Sequence, residues 1–156
     1  MIIIGIDPGT ATTGFGVIKK GRFLKCLEYG TIKTKPGEEP EKRLQRLSNK
    51  LSKLIKKHKA ELLAVEKVFF FKNLKTVMSV SQAKGVIMLT AAKNRIPVVQ
   101  LAPLEIKMAI TGNGRAEKEL VQERIKKKLR LEEIPKPDDA ADALAIAACC
   151  ALKMKK

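Results

Sequence analysis

The chain begins with a short apolar run that ends in an acidic residue. Met1 to Ile6 are rich in isoleucine, a pattern typical of a strand buried on both faces of a sheet. Asp7 follows directly, and Pro8 and Gly9 end the strand after it. Ligands in open α/β sheets bind beyond the carboxyl ends of the strands, so Asp7 is a candidate site residue. From this stretch alone, the alternative is that Asp7 caps an Asp-Pro-Gly turn.

The rest of the chain alternates between strand and helix patterns. Strands are predicted over Thr12–Lys19 and Arg22–Thr34, and a tight turn at Lys20 and Gly21 joins them into an antiparallel meander with the first strand. The later predictions are a helix over 41–59, a strand over 62–68, a helix over 74–94, a strand over 97–101 and helices over 102–110, 117–131 and 138–152. No repeat or linker interrupts them, so we expect one domain over residues 1–156.

The charge balance indicates a polyanionic partner. Lys and Arg number 32 against 16 Asp and Glu, a net charge of +16. Nucleic acid is the first expectation and an anionic membrane the second, and the alternative is a solvated basic surface like that of a thermophile. The longest apolar run, Ala143 to Leu152, is too short to span a bilayer, and the N-terminus lacks a secretory signal. We therefore expect a soluble cytoplasmic protein without a membrane partner.

Cysteine and histidine offer little chemistry. The three cysteines have no metal-binding spacing, and an odd count is typical of a reducing compartment. His58 is the only histidine, which argues against a histidine-built zinc site or a Ser-His-Asp triad. It lies among lysines, so we expect it to be exposed.

Acidic residues instead recur at the ends of predicted elements. Glu66 lies near the end of the fourth strand, which we expect to run parallel to the first and next to it, at the usual spacing of about 4.8 Å. Asp139 and Asp142 share a face of the last helix, and Asp138 and Asp142 are also spaced to share one. Since the rest of that helix is apolar, its acidic end should project from the core, with Asp138 as the helix cap.

Such a cluster on a basic protein favours metal-dependent chemistry. Carboxylates brought together repel one another unless a cation joins them. Oxygen ligands alone indicate Mg²⁺ or Mn²⁺ rather than zinc. Two such ions promote phosphodiester hydrolysis by activating water and stabilising the leaving oxygen, while surface lysines hold the nucleic acid. The sequence therefore predicts a metal-dependent nuclease.

Five segments, in order, resemble motifs of one family: Ile4–Gly9, 65–69, 81–85, 116–118 and 139–144. The family is RuvC, the bacterial Holliday junction endonucleases of the ribonuclease H-like superfamily. The resemblance implies an α/β fold with a five-stranded mixed sheet between helices. It also implies a homodimer that cuts four-way DNA junctions with Mg²⁺ during recombination and repair, alongside the RuvA and RuvB branch-migration proteins.

The resemblance also implies roles for individual residues. Its four metal-binding acids match Asp7, Glu66, Asp139 and Asp142, so Asp139 rather than Asp138 takes the third position. From the chemistry of phosphodiester hydrolysis we expect two ions per site.

DNA-binding residues follow from the same resemblance. Phe69 matches an aromatic residue that stacks on bases at the junction, and Lys107 and Lys118 match lysines near the scissile phosphate. We also expect Phe70, Lys72 and Arg115 to contact DNA. The alternative is that the phenylalanines are core residues and the lysines are merely solvated.

The helix predicted over 74–94 is apolar on more than one face. One face can pack on the sheet, and the remaining apolar surface is a candidate dimer interface. A two-fold dimer would present two equivalent sites to a junction of approximate two-fold symmetry.

Three other functions are compatible with parts of the pattern. Ribonuclease H-like nucleases that process ribosomal RNA precursors share the fold. The first loop also resembles the phosphate loop of the sugar kinase, Hsp70 and actin superfamily, but this chain is short for such a protein and shows no second glycine-rich loop. A non-catalytic junction- or RNA-binding module is disfavoured because acids weaken phosphate binding in the absence of metal.

Overall fold

The computed structural model describes residues 1–9, 11–35, 37–67 and 74–154. Within them lie ten elements: β1 (Ile2–Asp7), β2 (Thr12–Lys20), β3 (Leu24–Lys33), α1 (Pro40–His58), β4 (Leu62–Glu66), α2 (Leu74–Lys93), β5 (Val98–Leu101), α3 (Pro103–Thr111), α4 (Lys118–Leu129) and α5 (Asp138–Lys153). Every predicted element is present, and the differences are confined to element ends. None of these helices combines the length and apolar character needed to cross a bilayer.

The strands form one mixed sheet in the order β3-β2-β1-β4-β5. The pairs β1–β2 and β2–β3 are antiparallel, which confirms the meander. The pairs β1–β4 and β4–β5 are parallel, which confirms that the first and fourth strands are parallel neighbours. Ile6 pairs with Val65, so the next residues, Asp7 and Glu66, lie at the same edge of the sheet.

Alternating side chains give the sheet two apolar faces, each covered by helices. Ile4, Ile6 and Val17 pack with α1 and α2, and we call this side the α1/α2 face. Ile3 and Ile18 pack with α3, α4 and α5, and we call this side the α5 face. The sheet is therefore the middle layer of three, as the buried strand β1 predicted.

Helix α5 lies unusually close to β1 and β2 because glycines face it. A Cβ atom on Gly5 would clash with the carbonyl oxygen of Ala143, and one on Gly14 would clash with the backbone of Asp139. A Cβ on Gly16 would lie 2.8 Å from Leu144. Glycine in a strand interior often marks such a close approach. The contacts fix the acidic end of α5 beside the end of β1.

Two local expectations are wrong. Asp138 is not the helix cap: Pro137 holds that position, and the Asp138 carboxylate instead accepts a hydrogen bond from Gln122 Nε2 at 3.1 Å. His58 is not exposed. Its side chain is 13% accessible and its Nε2 lies 2.6 Å from Glu28 Oε2. In both cases a residue distant in sequence supplies a partner that local pattern does not reveal.

Candidate active site

Three acidic side chains from two elements meet at the carboxyl end of β1. One carboxylate oxygen from each of Asp7, Asp139 and Asp142 lies within 4.8 Å of the others. Asp7 is the last residue of β1, whereas Asp139 and Asp142 lie in the first two turns of α5. We call these three residues the carboxylate cluster. Their oxygens are close enough to ligate a shared cation.

The sheet register explains how the cluster forms. Asp7 pairs with Gly14 across the β1–β2 ladder, and Gly14 is the residue on which the backbone of Asp139 rests. Because Gly14 has no side chain, the first turn of α5 can pack directly over the ends of the strands. The one-turn spacing from Asp139 to Asp142 then directs both carboxylates to the same side.

Glu66 lies outside the 4.8 Å cluster but lines the same cleft. The cleft has a volume of about 240 Å³. Its polar lining consists of Asp7, Glu66, Lys107, Lys118 and Asp142. Its apolar walls come from α3, α4 and α5, at Pro103, Ile106, Val121, Ala145 and Ile146. Apolar walls beside carboxylates lower the local polarity and strengthen every charge interaction in the cleft.

Burial and nearby negative charge raise the pKa of two acids of the cluster, Asp7 and Asp142. Burial, together with the negative charges of Asp142, Glu66 and Asp139, raises the pKa of Asp7 from 3.8 to about 7, against the opposing charge of a nearby lysine. Burial also raises the pKa of Asp142, although Lys118 acts in the opposite direction. The charge of Glu66 thus acts on Asp7, although Glu66 lies outside the carboxylate cluster. Asp7 and Asp142 therefore resist ionisation unless a cation joins them.

Lys118 bridges the rim of the cleft. Its Nζ lies 3.4 Å from Asp138 Oδ2 and 3.3 Å from Asp142 Oδ2. Partial burial lowers the pKa of Lys118, but Asp142 and Asp138 outweigh it, and the pKa is raised overall. The lysine stays charged and is held at the rim of the cleft beside the carboxylates.

Comparison with known proteins decides the family. A family model described as crossover junction endodeoxyribonuclease RuvC matches residues 3–150. The chain belongs to the RuvC family. The RuvC of Pelotomaculum thermopropionicum is 48% identical over 150 residues, which cover 96% of this chain and 92% of the relative. The RuvC of Fusobacterium nucleatum is 48% identical over 148 residues, which cover 94% and 77%.

Solved RuvC structures share the fold. Thermus thermophilus RuvC superposes with a TM-score of 0.90 at 33% identity, covering 97% of this chain and 94% of that one. The same protein in complex with Holliday junction substrate gives 0.88 at 31% identity, with coverage of 97% and 93%. These matches confirm the ribonuclease H-like fold, and the RNA-precursor and sugar-kinase alternatives are not favoured.

The predicted DNA-binding residues of this RuvC chain have different placements. Lys107, on α3, and Lys118, at the start of α4, line or border the cleft. Arg115 is exposed in the loop before α4, and its backbone N–H donates to Asn113 Oδ1. Phe69, Phe70 and Lys72 lie outside the described residues.

Sequence reasoning missed the residues that position the acids. Gly5 of β1 pairs with Gly16 of β2. Gly14 lies two residues before Gly16 in β2 and faces the same side of the sheet. The available signal was glycine at alternate positions of predicted strands, which indicates close approach of another backbone. Asp138 was also missed as the partner of Lys118, since no local pattern connects α4 with α5.

Proposed function

We propose that this protein is a structure-selective endonuclease that resolves Holliday junctions in recombination and DNA repair by hydrolysing phosphodiester bonds near the crossover. The observation that carries the proposal is the carboxylate cluster, an inversion of charge inside a strongly basic chain of the RuvC family. A basic surface gathers DNA, and acids packed together in a half-buried cluster within it repel one another unless a cation joins them.

The donor set fits a hard divalent cation. Asp7, Glu66, Asp139 and Asp142 would hold Mg²⁺, with Mn²⁺ as a substitute and two ions per site, because carboxylate oxygens are their preferred ligands. When bound, the ions supply an activated water and stabilise charge on the leaving oxygen. The fit is supported by the burial and the repulsion that together raise the pKa of Asp7.

The basic residues would then orient the DNA strand. Lys118, restrained by Asp138 and Asp142, would contact a phosphate at the rim of the cleft, and Lys107 would contact the same strand from α3. Arg115 would add a backbone contact beyond the rim. From the sequence, Phe69 and Phe70 would stack on unpaired bases, and Lys72 would bind a neighbouring phosphate.

The outer side of α2 supports a homodimer. Leu74 is 83% exposed and Met78 69%, and Leu89, further along the same side of the helix, is 55% exposed. An exposed apolar stripe of this kind marks an interface, and a two-fold pair of chains matches a four-way junction. We infer one nuclease domain over residues 1–156 that works as a cytoplasmic dimer with RuvA and RuvB.

Cleavage of a synthetic four-way junction tests the function. We expect paired nicks near the crossover in Mg²⁺, none in EDTA, and no cutting of a linear duplex of the same sequence. Preferential cutting of the linear duplex, or equal cutting of a matched RNA, would contradict the proposal.

A further inference from the structure

A second concavity opens at the same end of the sheet as the carboxylates, but on the α1/α2 face. It lies between the turn after β1, the end of β3 and the two helices, and its volume is about 120 Å³. We call it the α1–α2 crevice; its lining includes Gly9, Ile32, Arg43, Leu47, Ser79 and Gln82. None of the roles assigned above involves this crevice.

The crevice combines an apolar floor with a polar rim. Ile32 and Leu47 form part of the floor and are buried, at 2% and 3% exposure. Arg43, Ser79 and Gln82 contribute a guanidinium, a hydroxyl and an amide. An apolar floor with amide and guanidinium groups at its edge can recognise a nucleobase through its face and its polar edge.

The arginine is held in place by a short chain of hydrogen bonds. Arg43 Nε donates to Thr34 Oγ1 at 3.1 Å, and Thr34 Oγ1 donates to the carbonyl oxygen of Ala11 at 3.0 Å. The chain links α1 to the end of β3 and to the loop before β2. A planar cation fixed in this way suits contact with a phosphate or a base edge.

The crevice is within reach of a strand bound at the carboxylates. Gly9 lines it and lies only two residues beyond Asp7, so about 7 Å of backbone separates the two positions at most. Asp7 faces the α5 side and the crevice the opposite side, and the Pro8–Gly9 turn lies at the sheet edge between them. A DNA strand that crosses that turn would place a nucleotide close to the crevice. That nucleotide would be one or two positions from the scissile phosphate.

We propose that the α1–α2 crevice binds one unpaired nucleotide of the cleaved strand, next to the phosphate at the carboxylate cluster. The inference rests on the proposed function, because it requires a DNA strand across the cleft. A cavity of about 120 Å³ is close in size to a single base. A junction crossover can release such a base at small cost, whereas a perfect duplex must first unpair one. The crevice therefore helps select branched DNA.

A fluorescent base tests the binding step without cleavage. Junctions each carry a single 2-aminopurine at a different position around the crossover, and wild-type protein is added in EDTA. We expect a fluorescence change on binding at one position, one or two nucleotides from the phosphate that is later cut. Arg43→Gln and Gln82→Ala should reduce that change. Lys50→Gln is the matched control, since it removes an exposed charge from the same helix outside the crevice.

Cleavage kinetics in Mg²⁺ provide the second measurement. Ala11→Phe places a ring in the crevice from an exposed position and removes no charge. We expect Ala11→Phe and Arg43→Gln to lower kcat/KM on the junction about tenfold, the scale of one base contact, with unchanged melting temperatures. Lys50→Gln should stay close to wild type.

The outcomes separate the two proposals. If wild-type protein leaves junctions uncut in Mg²⁺, the proposed function fails. If wild-type protein cuts junctions but all crevice variants match Lys50→Gln in both measurements, only the crevice proposal is overturned.

Discussion

The two faces of the sheet are packed by different means. On the α5 face, a helix rests directly on strand backbone through Gly5, Gly14 and Gly16, and alanines occupy much of the contact. On the α1/α2 face, bulky Leu, Ile, Val and Phe side chains fill the space between layers, and α1 and α2 are joined by hydrogen bonds such as Ser48 to Thr90 at 2.8 Å.

We infer that the α5 face fixes the position of the acids, whereas the core of the α1/α2 face contributes mainly to the free energy of unfolding. Backbone contact leaves the α5 face almost no room to adjust, and that rigidity holds Asp139 and Asp142 beside Asp7. The side-chain packing of the α1/α2 face can relax around a change, at a cost in the free energy of unfolding. Changes on the α5 face should therefore damage cleavage first, and changes in the buried core of the α1/α2 face, away from the α1–α2 crevice, should damage stability first.

The largest effect is expected at the cluster itself. Asp7→Asn should lower the cleavage rate at least about 10³-fold because it removes one of the proposed metal ligands, while junction binding in EDTA survives. Gel-shift and cleavage assays on the same junction measure the two effects. Cleavage by this variant at the wild-type rate would refute the metal assignment.

The same variant should be more stable than wild type when metal is absent. The raised pKa of Asp7 contributes stability that is fully present below pH 3.8 and is lost as the pH rises through about 7. Asparagine avoids this loss, so its advantage should grow from pH 4 to pH 7 and reach roughly 2–4 kcal/mol. Chemical denaturation in EDTA at several pH values measures it, and saturating Mg²⁺ should remove the advantage. An advantage that does not depend on pH would contradict the stated cause.

Gly14→Ala tests the rigidity of the α5 face. The added methyl meets the backbone of Asp139, so α5 must shift and carry its two acids away from Asp7. A displacement of about 1 Å lowers catalysis by about 10²-fold. The measurement is the cleavage rate per folded molecule, with circular dichroism to show that the chain is folded. Cleavage within a few-fold of wild type would show that the face can adjust.

Leu51→Ala makes the opposite test on the α1/α2 face. Leu51 is fully buried in α1, and its truncation should cost about 2–5 kcal/mol of unfolding free energy. The cleavage rate per folded molecule at 25 °C should change little, because α1 contributes none of the four acids. A loss of cleavage as large as that of Gly14→Ala would show that the two faces are not independent.

Much of this arrangement could be predicted from sequence, because local signals dominate it. Apolar runs located the strands, and the acids at their ends identified the cleft. Spacing alone could not choose between Asp138 and Asp139, since that choice depends on how α5 is rotated against Gly14. The separation of Glu66 from the three-residue cluster and the Lys118–Asp138 contact also depend on packing between distant segments. Long-range contact, rather than secondary structure, limits what the sequence alone can predict.

Ser48→Ala should have the smallest effect and sharpens the contrast between the faces. It removes the hydrogen bond between α1 and α2, but Thr90 Oγ1 still donates to the carbonyl oxygen of Val86 at 2.7 Å. No buried hydroxyl loses its last partner, so the cost should be about 0.5–1.5 kcal/mol of unfolding free energy. Urea denaturation measures this cost, with cleavage assayed in parallel. If Ser48→Ala slowed cleavage while stability held, the packing between α1 and α2, and not only the crevice, would act on the site, and the contrast between the two faces would fail.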